Sequence, residues 1–221
     1  RAREMFSATI TKKPFLELKR EMKTLDIKVS GALSKINSFL LKTGKTITDE
    51  EDELQYANKN VSNIIAEITQ PEKIYPLIRK FIEITEQWLA QNKKSQVYEK
   101  LLELYFDCLS FIKISEFYDK RYVTYLEKTH DNVKLKLFCL DPSKLLREAL
   151  KRGKVAICFS ATLAPILYFR DILGGSYEDY MLRLPSPFDK DNRCLMLADN
   201  ISTKYKNRAK TLMKIVELIY S

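Results

Sequence analysis

No two of the four cysteines, Cys108, Cys139, Cys158 and Cys194, lie closer than the 19 positions between the second and third. That spacing excludes the close pairs of a zinc or iron-sulfur site and fits small buried thiols in a reducing, cytoplasmic setting. Cys139 and Cys158, both inside apolar runs, are expected to be buried. The single histidine, His130, has no second histidine or paired cysteine beside it, so a role at a helix end is expected rather than metal binding or catalysis. No apolar run approaches the roughly 18 residues needed to span a bilayer, and no signal peptide opens the chain, so no membrane partner is expected. No acid/base or nucleophile pair stands at a suggestive spacing, which argues against an independent small-molecule enzyme.

What is present is a chain of 221 residues, 45% hydrophobic, with 38 Lys+Arg against 29 Asp+Glu and a formal charge of +9. Such a chain can bury a substantial core, and its charge favours an anionic partner such as nucleic acid. From about Pro14 to His130 the pattern is helical, as in Leu18, Met22, Leu25, Val29, Leu33, Ile36 and Leu40 at three and four spacing. Gly44 is the expected stop of the first long helix, and Thr48, Asp49 and Glu50 suit the start of another. A further helix is expected from about Pro71 to Asn92 with a disturbance at Pro76, and one more from Ser95. The latter carries Tyr105, Phe106, Phe111, Phe117, Tyr118, Tyr122 and Tyr125 on more than one face, as a helix packed on several sides would. Trp88 shares a helical face with Phe81 and Ile84.

After His130 the pattern reads strand, helix, strand: "VKLKLFCLD" from Val133, the amphipathic "PSKLLREALKRG" from Pro142, then "KVAICFSAT" from Lys154. Another helix follows in "PILYFRDILGG", and the chain closes on "NRCLMLAD" as a short strand and a basic amphipathic helix. This alternation predicts a layered α/β unit with a mostly parallel sheet, in which "VAICF" is buried on both faces. Ser160 and Thr162 then fall at a strand's carboxyl end, where open α/β sheets gather their ligands; the alternative is a helix amino cap by Thr162. "TGKT" from Thr43 lacks glycine at the position of Phe39 and follows a helix rather than a strand, so it is not a phosphate loop. The basic clusters Lys93, Lys94 and Lys204, Lys206, Arg208 are solvated faces that can also meet phosphates.

The stretch "VKLKLFCLDPSKLLREALKRGKVAICFSATLAPILYFRDILGG", followed by "LPSPFDKDNR", resembles the DinG/XPD type of superfamily-two DNA helicase, in which Ser160, Ala161 and Thr162 match motif III. "RAREMFSA" at the start resembles the segment after the DEAH box of the DinG branch. The resemblance implies a mixed α and α/β fold, a long-helix arch domain attached to part of a RecA-like parallel-sheet motor lobe. It assigns residues 1–13 to the end of a first motor-lobe segment and 14–130 to the helical arch domain. Residues 131–183 become the closing part of that lobe with motif III, and 184–221 a linker and the start of the second lobe.

The resemblance further implies an arch gating single-stranded DNA and motif III hydroxyls coupling ATP hydrolysis to translocation. ATP and Mg2+ belong to the parent protein. This chain holds no Walker A loop, DEAH box or late arginine motif, so none is expected to bind here and the fragment alone is expected to be inactive. The remaining motor-lobe segments are its expected partners. The rival reading is a noncatalytic helical protein-interaction module.

Overall fold

The computed structural model describes residues 2–49, 63–189, 191, 197–202 and 204–220. They fall into two units, Arg1–Asp179 and Tyr180–Ser221. The first contains α1 (Ala2–Met5), β1 (Ala8–Thr11), α2 (Lys12–Met22), α3 (Ile27–Asp49), β2 (Asn63–Glu67), α4 (Tyr75–Gln91), α5 (Tyr98–Ser115), β3 (Tyr122–Lys128), β4 (Val133–Cys139), α6 (Ser143–Leu150) and α7 (Ile166–Ile172). The second contains α8 (Arg208–Tyr220), preceded by a 3-10 turn, Tyr205–Asn207. The mixed helix-and-strand class expected from the sequence is present.

The helices follow from local chemistry. Asp26 caps α3, its Oδ1 accepting hydrogen bonds from the N–H groups of Lys28 (2.8 Å) and Val29 (2.9 Å). The expected single helix through Leu18 and Leu40 is therefore two, and Ser30 Oγ ties the second to the first by donating to the Lys19 carbonyl at 3.0 Å. Pro76 sits in the first turn of α4, where its missing N–H costs nothing, so the expected disturbance does not occur.

Gly44 does not stop the helix; α3 runs through it and through Thr48 to Asp49. A methyl at Gly44 would lie 2.6 Å from Val133 Cγ2 at the start of β4, so the glycine serves close helix-to-strand packing. Gly44→Ala is therefore expected to forgo the usual gain of about 1 kcal/mol from replacing a helical glycine. Combined with Val133→Ala, it should show a favourable coupling of about 1 kcal/mol in a urea-unfolding double-mutant cycle. Additive effects would contradict the close approach.

The sheet has the order β1-β4-β3-β2, and every pair is antiparallel. A mostly parallel sheet was expected, and the four strands present do not form one. The reason is legible in β4 itself. Val133, Leu135, Leu137 and Cys139 are buried while Lys134, Lys136 and Phe138 are half-exposed, the alternation of a strand covered on one face. Lys134 pairs with Glu127 (2.8 Å) and Lys136 with Glu4 (2.7 Å) on the wetter face.

The segment Tyr122–Lys128, expected to continue a helix, is instead β3, its residues alternating between buried and half-buried. After α5 ends at Ser115, Asp119 shapes the turn into β3 by bonding both the N–H and the guanidinium of Arg121, and those bonds hold its carboxyl below the usual carboxylate range. His130 lies in the exposed turn joining β3 to β4, closed by Thr129 N–H to the Asn132 carbonyl at 2.9 Å, and ends no helix. The boundary read at residues 130 and 131 thus falls inside a hairpin.

The core lies between the sheet's dry face and the helices. Phe15, Leu18 and Met22 of α2, Leu33, Ile36 and Leu40 of α3, Ile78 and Phe81 of α4, and Leu101 and Phe111 of α5 meet Ile10, Tyr122, Leu135 and Leu137 of the strands. β1 and β4 are paired neighbours, with Ala8 opposite Leu137 and Thr11 opposite Lys134. The chain therefore enters and leaves the helical body through adjacent strands. Asn132 Oδ1 adds a clasp there, accepting from the N–H groups of Lys13 (3.1 Å) and Val133 (3.0 Å).

Candidate functional site

Residues 155–159 have strand-like composition but no strand partner among the described residues. Val155, Ile157 and Phe159 are 80%, 81% and 89% exposed, against the expectation of burial on both faces. Composition makes a segment able to pair, whereas pairing needs a free edge in register. The four strands present leave this segment outside their ladder. Cys158 is accordingly exposed, contrary to expectation, whereas Cys108 and Cys139 are buried and free. Burial pushes both of those thiols up from their ordinary value. Cys194 and most of "NRCLMLAD" lie outside the described residues.

Ser160, Ala161 and Thr162 follow as an exposed turn. Ser160 Oγ and Thr162 Oγ1 are 3.1 Å apart, and Thr162 N–H donates to Ser160 Oγ at 3.2 Å. The two hydroxyls thus face one another in a local side-chain-to-backbone turn. Neither has an imidazole or carboxylate partner among the described residues, so nothing here activates a nucleophile. What the pair offers is two adjacent donor–acceptor groups open to an incoming surface. Thr162 precedes α7 by four residues, and no side chain caps that helix at its adjoining Pro165.

The helices before and after this turn, α6 and α7, are joined by a clasp that composition did not reveal. Arg147 of α6 donates from Nε to the Gly174 carbonyl and from its terminal nitrogen to the Gly175 carbonyl, both at 2.9 Å, satisfying groups beyond the end of α7. Gly174 has φ +85° and lies so close to α6 that a methyl would meet the Ser143 carbonyl oxygen at 2.5 Å. Arg170 lies over the Tyr177 ring at 4.4 Å and pairs with Asp171 at 2.8 Å. Arg147, Arg170, Asp171, Gly175 and Tyr177, with Ser143 and Ser176, line an open cleft of about 350 Å³. The only sequence signal was the Gly174-Gly175 pair.

The basic residues singled out from sequence are divided between the two units. Lys93 and Lys94 are exposed in the turn between α4 and α5. Lys204, Lys206 and Arg208 are exposed in the second unit, where Arg208 lies 5.9 Å from the Tyr205 ring. Of the aromatic stripe, Phe111 and Tyr122 are fully buried and Tyr118 stacks on Tyr122 at 5.4 Å. Phe106, 57% exposed, is turned outward. No group of three or more metal-ligating side chains occurs among the described residues, and no helix among them is long and apolar enough to cross a membrane. No family model and no curated protein matches the chain.

Proposed function

We propose that the chain is the arch-bearing part of an ATP-dependent DNA helicase of the DinG/XPD type. In this reading the helical body gates single-stranded DNA, and Ser160, Ala161 and Thr162 couple ATP hydrolysis to translocation. The observation that carries the proposal is the pairing of β1 with β4. A body inserted into a motor lobe must begin and end at neighbouring points of that lobe, and these strands flank the helices in that way. The exposed Val155, Ile157 and Phe159 lend further support. In the proposal this strand joins a parallel RecA-like sheet whose other strands come from the remaining lobe segments, burying those side chains on both faces. ATP and Mg2+ are held by the parent protein, which is cytoplasmic, and this chain alone hydrolyses nothing.

The test is Thr162→Ala in the parent enzyme. Unwinding is expected to fall by at least about tenfold, with DNA-stimulated ATP hydrolysis retained within about threefold. Equal loss of both would rule out coupling. The second reading, a noncatalytic module that docks a protein, is favoured by the same exposed apolar run, since such patches mark interfaces. Labelled single-stranded DNA separates the two. Salt-sensitive binding supports the gate, and no binding at low salt supports the docking module.

A further inference from the structure

Between Asp26 and Asp49 the sequence has four lysines and no acidic residue. This is the span of α3. Val29, Ala32, Leu33, Ile36 and Leu40 turn to the core, leaving Lys28, Gly31, Lys35, Ser38 and Lys42 exposed. Lys28, Lys35 and Lys42 recur every seven residues, which holds them on one stripe with a drift of only about 20° per repeat. Successive lysines are about 10.5 Å apart along the axis. The small Gly31 and Ser38 lie between them.

Five lysines elsewhere on this unit have a carboxylate partner: Lys80 with Glu83, Lys100 with Glu21, Lys134 with Glu127, Lys136 with Glu4 and Lys151 with Glu148. Among the described residues, Lys28, Lys35 and Lys42 have no carboxylate within 4.0 Å. A solvated face usually mixes both signs, whereas this one presents a single sign over four helical turns. Beside the stripe, one turn beyond Lys35, the half-buried Phe39 forms the wall of a cleft of about 400 Å³ with Thr69, Gln70, Pro71, Glu72 and Lys73. A row of cations bordered by an aromatic wall suits a strand whose phosphates follow the charge and whose bases turn to the ring. Glu72 opposes a second phosphate row on that side, which favours one strand over two.

We infer that the outer face of α3 is a binding track for single-stranded nucleic acid, with Lys28, Lys35 and Lys42 contacting its phosphates. The inference rests on the single-strand gate proposed above and places its contact surface on residues other than Lys93, Lys94, Lys204, Lys206 and Arg208.

The experiment compares the full chain with its Lys28→Gln/Lys35→Gln/Lys42→Gln variant, using a fluorescent oligothymidylate 20-mer and a duplex of equal length over a range of salt. Glutamine keeps helix propensity, and all three sites are exposed, so circular dichroism is expected to be unchanged. Each lost phosphate contact removes about 0.7 from the slope of log affinity against log salt for a single strand. The variant slope should therefore be shallower by about 2, with at least about tenfold weaker binding at low salt. If the unaltered chain binds the oligonucleotide but the variant slope is unchanged, the track is overturned while the gate stands. If the unaltered chain binds no single strand, the gate itself fails. Tighter binding of the duplex than of the 20-mer also overturns the track.

Discussion

Phe81→Ala is expected to destabilise the first unit by about 3–5 kcal/mol, the largest stability effect anticipated for a single residue of this chain. Phe81 is fully buried on α4, and its ring meets that of Phe15 edge-on at a centroid distance of 6.2 Å and an interplanar angle of 69°. Removing it empties the junction of α2 and α4 and leaves the Phe15 edge without its partner face. Small domains retain only about 5–15 kcal/mol, so the loss consumes a large part of the margin. The chain's single tryptophan, Trp88, lies two turns along the same helix and is 7% exposed, so its fluorescence reports this unit alone. The urea midpoint read at Trp88 should fall sharply in Phe81→Ala and much less in Phe81→Leu. Phe15→Ala combined with Phe81→Ala should cost less than the sum of the two. A midpoint shift under about 1 kcal/mol in Phe81→Ala would show that the site collapses around the cavity.

Gly174→Ala acts elsewhere and by another mechanism. A side chain at φ +85° costs about 1–2 kcal/mol, and the added methyl would sit 2.5 Å from the Ser143 carbonyl oxygen and 2.8 Å from the Arg147 nitrogen. Both obstacles are backbone atoms, so relief requires α7 to separate from α6. With only seven residues, α7 cannot persist once undocked. The expected result is local opening of residues 143–175, read as at least about tenfold faster tryptic cleavage at Lys151, Arg152, Lys154 and Arg170. The Trp88 midpoint should stay within about 0.5 kcal/mol, because neither Arg147 nor Gly174 belongs to the core cluster, against which α6 sets Leu145. Arg147→Ala, which removes two hydrogen bonds but creates no overlap, should open the segment less, by about 1–3 kcal/mol. Cleavage no faster in Gly174→Ala than in the unaltered chain would contradict the packing of α7 on α6.

Part of this architecture was legible residue by residue. The alternation Val133-Lys134-Leu135-Lys136-Leu137 specifies a strand with one dry face, and α4, α6, α7 and α8 lie where apolar spacing, Pro71, Pro142, Pro165 and Gly174 set them. β3 was hidden because Tyr118, Tyr122 and Tyr125 also satisfy helical spacing; Asp119 decides the matter through bonds that spacing does not encode. Residues 155–159 were legible as strand-forming but not as strand-paired, since a local run carries no information about which edge receives it. At the candidate site, Ser160 and Thr162 were singled out as lying at a strand end; their hydroxyls lie 3.1 Å apart in an exposed turn that follows no paired strand among the described residues. The lysine stripe of α3 was missed because the same residues were read for their apolar spacing; taking acids and bases helix by helix would have found it.

The antiparallel pairing of Ala8–Thr11 with Val133–Cys139 also bears on how such a chain can change through descent. When entry and exit are hydrogen-bonded to each other, the distance between them is independent of what hangs from them. Loops and helix ends can then be lengthened between the two attachment points without straining the strands, whereas the helical faces that cover Ile10, Tyr122, Leu135 and Leu137 must stay. On the proposed insertion, divergence is expected to concentrate in the body between the two strands, while the strands themselves stay under constant geometric demand.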